Sequence, residues 1–230
     1  MVLKFCKQRL RQHRLRRAKI IDASALKAEK IADWALWPNA IDPSSVVYSF
    51  GVGDNVAWDL AMIQRFGVQV HAFDPTPRSI DWVAHQDLPE HFRFFPYGLS
   101  DFDGLLNFYP PRKANGTHYS QQPRSLRASL ETPVQGQVFR LATIMQKLGH
   151  TRVNVLKMDI EGSEFDAISD LISSGIAVDQ LLVEIHYHFP TRSFQQGLAL
   201  IHQLKAHGMK CIYISDRGFE FAFIREGLGK

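Results

Sequence analysis

Two short stretches of the chain carry ionisable side chains at every second residue. In KMDIEG these are Lys157, Asp159 and Glu161, and in EIHYH they are Glu184, His186 and His188. Alternate residues of an extended chain share a face, so each trio would present its groups together at the end of a strand. Carboxylates and imidazoles gathered in this way can take a proton from a hydroxyl, which makes Asp159, Glu161 and His186 candidate bases. They could equally hold a divalent cation, but their spacing is not a known metal signature, and no metal is assigned. Plainer roles exist for each. Asp159 and Glu161 can cap the helix that follows, whose first turn favours acids, and His188, next to Phe189 and Pro190, reads as structural.

A second chemical pattern lies upstream. SFGVGDN (49–55) sits between an apolar run and an amphipathic one, and its Gly51 and Gly53 allow a close approach of backbone to ligand. The third glycine of a dinucleotide fingerprint is missing, because Val56 fills its place. Asp74, in HAFDPTP, follows Gly51 by 23 residues, where a carboxylate can accept hydrogen bonds from two ribose hydroxyls. A glycine turn followed by such an acid is a minimal adenosine-binding signal. NAD would need helix amides and the third glycine for its pyrophosphate. S-adenosylmethionine has no phosphate and suits the shorter loop better.

These residues need strands and helices to place them. SVVYSF (45–50), VQVHAF (68–73), HFRFFPYGL (91–99), VNVLKMDI (153–160) and QLLVEIHYHF (180–189) read as strands, and residues 56–66, 78–86, EFDAISDLISSG and about 193–207 as helices. This alternation predicts a mostly parallel sheet wrapped by helices, with its ligand site beyond the carboxyl ends of the strands. KCIYIS (210–215) and FEFAFI (219–224) are separated by three turn-forming residues, so they must form an antiparallel hairpin. Residues 22–36 read as a further helix, with Asp22 or Ser24 as its N-cap. Residues 111–136 form a long polar loop whose Arg112, Lys113, His118, Tyr119, Arg124 and Arg127 are candidates for substrate contact. Trp34, Trp37, Trp58 and Trp82 read as packing.

At 230 residues the chain suits one α/β domain. No apolar run approaches the roughly 20 residues of a membrane helix, and no signal peptide is apparent. Cys6 and Cys211 make no metal or disulfide framework, so a cytoplasmic setting is expected. The net charge of +4 is unevenly spread. Residues 1–19 hold eight of the 27 Lys and Arg and no acid, which leaves a mildly acidic body. Residues 1–44 are therefore read as a basic arm with a helical extension. The arm offers a weak contact to an anionic membrane or partner; nucleic acid is not expected, because the body is acidic and carries no RNA-binding motif.

VVYSFGVGDNVAWDLAM, VQVHAFDPTP, YGLSDFDGLLNFY, VLKMDIEGSEF and QLLVEIH, in that order, resemble the class I methyltransferases of the FkbM type, closest to their methyltransferase-like branch. The resemblance covers about residues 45–225, and KMDIEGSEF is its most specific part. It implies a Rossmann-like fold with a mostly parallel seven-stranded sheet and an antiparallel C-terminal strand, filled by a domain at 45–230. It also implies S-adenosylmethionine as methyl donor and O-methylation of a small-molecule, sugar or lipid-linked acceptor. Carried over by position, Gly51 and Gly53 would face the methionyl and ribose part of the cofactor and Asp74 its ribose. Leu99, Ser100 and Asp101 would lie near the adenine, and Asp159 and Glu161 would border the methyl group. Many methyltransferases have an acid where this chain has Ser49. Asp54 is the expected replacement; without one, the chain would be a non-catalytic, methyltransferase-like binding protein.

Overall fold

The computed structural model describes residues 2–22, 26–111, 118–121, 123 and 132–228. Seven strands form its main sheet: β3 (Val47–Phe50), β4 (Val70–Phe73), β5 (Phe92–Phe95), β9 (Val153–Met158), β10 (Val178–Glu184), β11 (Met209–Ile214) and β12 (Glu220–Arg225). Their spatial order is β11-β12-β10-β9-β3-β4-β5. All pair in parallel except β12, which runs antiparallel to both β10 and β11. The expected antiparallel strand is therefore present, inserted between two neighbours. The chain winds outward from β3 through β4 to β5, then crosses back to β9, so the topological switch point lies between β3 and β9.

Alternation along these strands builds a core on both faces, as parallel sheets require. Tyr48, Phe50, Leu156, Met158, Leu181, Val183, Phe221 and Phe223 pack into one cluster. Val47, Val155, Leu182, Ala222 and Ile224 pack into the other. The connecting helices are α2 (Ala57–Phe66), α3 (Pro77–Ala84), α4 (Leu141–Leu148), α5 (Glu164–Ser173) and α6 (Phe194–Ala206). A side sheet of β6 (Gly98–Leu99), β7 (Gly104–Phe108) and β8 (Val134–Phe139) stands beside Pro75, whose ring and carbonyl leave no room for a Cβ at Gly136. The predicted third strand thus divides into β5 and β6, which belong to different sheets.

The predicted helix at 22–36 is corrected. Its described part is a hairpin of β1 (Glu29–Ile31) and β2 (Trp34–Leu36), turning through Ala32 and Asp33 with Ala32 at φ 48°. Ser24 lies outside the described residues. Trp34, Leu36 and Trp37 all join the second core cluster. Buried Gln180 pairs both backbone groups of Trp37, accepting from its N–H and donating to its carbonyl at 2.8 Å each. Packing demand here overrides the helical propensity of an Ala-rich segment.

The basic arm packs onto the domain through a few buried residues. It forms helix α1 (Val2–Arg17), which docks through Leu15 and, just past its end, Ile20, 2% and 1% exposed. Arg11 lies over the Phe219 ring at 3.7 Å and Arg14 over Phe194 at 3.8 Å. Gln8, Arg11 and Gln12 donate to carbonyls in the turn between β11 and β12. Lys7, Arg9, Arg16, Arg17 and Lys19 stay exposed. Among the described residues, no helix is long and apolar enough to cross a membrane.

One buried histidine ties stability to pH. His71 on β4 sits among Tyr48, Phe95 and His150. Burial, with His150 adding, pushes its pKa down to about 4. The unfolded chain takes this proton near pH 6.5 and the folded chain only near 4. Stability is accordingly expected to fall as pH drops through that window, by up to about 1.4 kcal/mol per pH unit. Urea unfolding at about pH 7 and about pH 5 would show it, and His71→Phe should flatten the difference.

Candidate functional site

The loop after β3 is shaped by what lies next to it. Gly51 has φ +88°, and a Cβ there would fall 1.8 Å from the carbonyl oxygen of Asp159. Only glycine lets the loop cross the end of β9, and this contact fixes the switch point. Val56, in place of the third glycine, packs with Val52, Ala72 and Phe92. Asp74, at the end of β4, accepts from Gly53 N at 3.0 Å through one oxygen and from Thr76 N and Oγ1 at 2.9 and 2.6 Å through the other. It therefore holds the loop in shape, and its Oδ2, which accepts one bond, keeps lone-pair capacity for a ligand.

A cavity of about 430 Å³ opens at this end of the sheet, within the range of small-molecule sites. Gly51, Gly53, Asp54, Asp74 and Leu99 line it, together with Asp159, Glu161 and Glu184. Trp58, Asp59 and Lys157 form another part of its wall. Asp59, in the first turn of α2, is 2% exposed, and its Oδ1 has no hydrogen-bond partner. Trp58 Nε1 and Ser49 Oγ, both buried, are likewise unpartnered. Lys157 is 6% exposed, with its ammonium 5.1 Å from the Trp34 ring centre and 5.9 Å from that of Trp58. Burial raises the Asp59 carboxyl above its ordinary range, and the charge of Lys157 and the neighbouring Ser49 hydroxyl, which lies close to Asp59 without making a hydrogen bond of good geometry, work against that rise.

The carboxylate and imidazole groups converge as their alternation predicts, although β10 ends at Glu184 and His186 lies beyond it. Glu164, in the first turn of α5 and 0% exposed, organises them. Its Oε2 accepts from Gly162 N at 2.8 Å, and its Oε1 accepts from His186 N at 2.6 Å and faces His186 Nδ1 at 3.0 Å. His186 Nε2 is turned toward Glu161, Glu184 and Asp159, at 3.3, 3.8 and 3.9 Å. Glu161 reaches this place from a left-handed backbone, φ +50°, a costly conformation for a non-glycine residue and typical of functional sites. Burial opposes an imidazolium at His186, but Glu164, Glu161 and Glu184 outweigh it and push its pKa up to about 10. Burial, with Asp159 nearby, pushes Glu184 up to about 8. Asp159 is also raised, chiefly by burial.

The profile of the Methyltransferase FkbM domain matches residues 45–226. The chain belongs to the FkbM methyltransferase family. Over 147 residues it is 29% identical to the probable methyltransferase-like protein 24 of Rattus norvegicus, covering 63% of this chain and 33% of that protein. Over 143 residues it is 28% identical to the hexuronic acid methyltransferase AglP of Haloferax volcanii, covering 58% and 56%. The chain thus spans between a third and just over half of the length of these relatives. The crystal structure of methyltransferase FkbM from Methylobacillus flagellatus superposes with a TM-score of 0.49 at 11% identity, covering 80% of this chain and 44% of that one.

Within this family fold the expected site residues separate into two groups. Gly51, Gly53, Asp54, Asp74, Leu99, Asp159 and Glu161 line the cavity. Ser100, Asp101, Ser49 and His186 are not among its lining residues. Ser100 is buried, with its N–H bonded to the Phe139 carbonyl at 3.0 Å, and Asp101 faces solvent. His186, expected as a candidate base, is pushed toward its protonated form by Glu164, Glu161 and Glu184. Asp54, expected to replace the acid absent at Ser49, is exposed on the loop, and the buried acid on that wall is Asp59. Of the long-loop candidates, His118 and Tyr119 line the cavity; Arg112, Lys113, Arg124 and Arg127 lie outside the described residues. Asp59, Trp58 and Glu164 were missed as site residues. An acid in a helix's first turn looks like dipole complementation, and their shared feature, a buried polar atom facing the cavity or its histidine, exists only in three dimensions.

Proposed function

We propose that this chain transfers the methyl group of S-adenosylmethionine to a hydroxyl of a small-molecule, sugar or lipid-linked acceptor. The observation that carries this reading is the cavity wall of Trp58, Asp59 and Lys157. Of the four unpartnered buried side-chain atoms among the described residues, two, Trp58 Nε1 and Asp59 Oδ1, belong to it. Such atoms are rare in folded proteins and call for a partner. A buried carboxylate and a buried ammonium, side by side next to a glycine loop, complement the ammonium and carboxylate of an amino-acid moiety. S-adenosylmethionine has that moiety, and NAD does not.

On this reading Asp59 receives the cofactor's ammonium and Lys157 its carboxylate, Gly51 and Gly53 admit the chain between them, Asp74 holds the ribose hydroxyls, and Leu99 borders the adenine. When bound, S-adenosylmethionine supplies a methyl carbon made electrophilic by its sulfonium. Asp159, on the shared rim of the cavity, accepts the acceptor's proton; its carboxyl, raised chiefly by burial, is a stronger base than an ordinary carboxylate. Glu161 and Glu184 orient the acceptor. AglP is named for a hexuronic acid, which favours a sugar here. The two free cysteines fit a reducing, cytoplasmic setting.

Calorimetric titration tests the reading. S-adenosylmethionine and S-adenosylhomocysteine should bind in the micromolar range and NAD should not. Asp74→Ala should weaken both by roughly 10-fold or more, since a hydrogen bond to a charged group contributes about 1.5–3 kcal/mol. A folded protein that binds neither would instead be a non-catalytic relative, and the search would turn to a binding partner.

A further inference from the structure

We propose that Asp159, Glu184 and His186 form a divalent-cation site at the carboxyl ends of β9 and β10. One oxygen from each carboxylate and a nitrogen of the imidazole all lie within 4.8 Å of one another. Ligand atoms bound at about 2.0–2.6 Å from a common ion can be no more than about 5 Å apart, so a single ion can reach all three.

A second observation points to a ligand and is independent of the acids. His186 is 3% exposed, and its Nε2 makes no hydrogen bond among the described residues, although three carboxylates surround it at 3.3–3.9 Å. Its Nδ1 is held by fully buried Glu164 at 3.0 Å. A carboxylate behind a histidine is the arrangement that aims the opposite nitrogen at a metal and strengthens it as a ligand. The Nε2 proton and the cation compete for the same lone pair.

Charge supports the same conclusion. Asp159, Glu161, Glu164, Glu184 and Glu220 crowd this end of the sheet against two basic side chains, Lys157 and Arg217. Arg217, bonded to Glu184 and Glu220, is 60% exposed and reaches in from solvent. A divalent ion would offset the remaining excess. Carboxylates with one imidazole and no thiolate suit Mn²⁺ or Mg²⁺. Asp159 and Glu184 line the cavity, so the ion would be open to an acceptor hydroxyl or carboxylate. A rim that repels an acidic acceptor would then attract one. Asp159, just past β9, and Glu184, at the end of β10, are 25 residues apart, which explains why no short motif announces the ligands.

The test uses the whole chain, stripped with chelator and titrated with Mn²⁺ alone, followed by calorimetry and electron paramagnetic resonance. One saturable site per chain is expected, with a nitrogen hyperfine coupling from His186. Asp74→Ala should leave it unchanged, which separates this site from the cofactor reading. Glu184→Gln, which preserves shape, should weaken it by about 10-fold or more. The proposal is overturned if folded wild-type protein shows no saturable site, or if Glu184→Gln binds Mn²⁺ as tightly as wild type.

Discussion

Asp59→Asn is expected to weaken S-adenosylhomocysteine binding by roughly 10–100-fold, the loss of one charge-assisted hydrogen bond, and to make the ligand-free protein more stable at neutral pH. The two effects have one cause. Asp59 is 2% exposed and its Oδ1 has no partner, so the folded chain keeps a carboxylate desolvated for a ligand to meet. Its carboxyl is raised by burial, so the folded state holds that proton more tightly than the unfolded state. Stability is then lost as pH rises from the ordinary carboxylate range through the folded value. Asparagine keeps the shape and removes that loss. Calorimetry with S-adenosylhomocysteine and thermal melts on the two proteins decide the matter; unchanged affinity would remove Asp59 from the cofactor's wall.

The second large effect is expected at Asp159. Asp159→Asn should lower kcat by about 10²–10⁴-fold, the usual contribution of a general base, while cofactor affinity changes little. The substitution is isosteric, and the contact of Gly51 with the Asp159 carbonyl, which shapes the loop, is a backbone contact that it leaves in place. In wild type the rate should rise with pH as the raised carboxyl loses its proton. Single-turnover kinetics across a pH series on both proteins is the measurement. Recovery of the variant's activity with excess Mn²⁺ would show that Asp159 serves as a cation ligand, and a variant with near-normal kcat would shift the base to Glu184 or Glu161.

The parts legible in the sequence were those with a local cause. Strand alternation in VVYSF, LLVEI and FEFAFI reads directly as a sheet with two buried faces, and the three-residue turn at 216–218 forces the antiparallel pair. Gly51 and Asp74 announce themselves because their roles depend on backbone freedom and on position at a strand end. What escaped depended on distant partners. The β1–β2 hairpin has no glycine in its turn and is held by Gln180, 143 residues away. Asp59 and Glu164 look like ordinary first-turn acids until the cavity and His186 are seen beside them. His186 was legible as a site residue but not as a group held toward its protonated form, since two of the three carboxylates that hold its proton come from another segment of the chain.

The place of β12 constrains how the molecule can be made. Synthesis runs from β3 toward β12, yet β12 lies inside the sheet, between β10 and β11. Until the ribosome has released residue 225, β10 has one open edge and the hairpin that α1 grips does not exist. The first helix must wait for the last strand. During translation, then, the Glu184 end of the cavity stays unfinished and the edge of β10 is free to pair wrongly. A nascent chain arrested before β12 should be the state that chaperones hold, and the binding site should form in a single late step as the final hairpin closes.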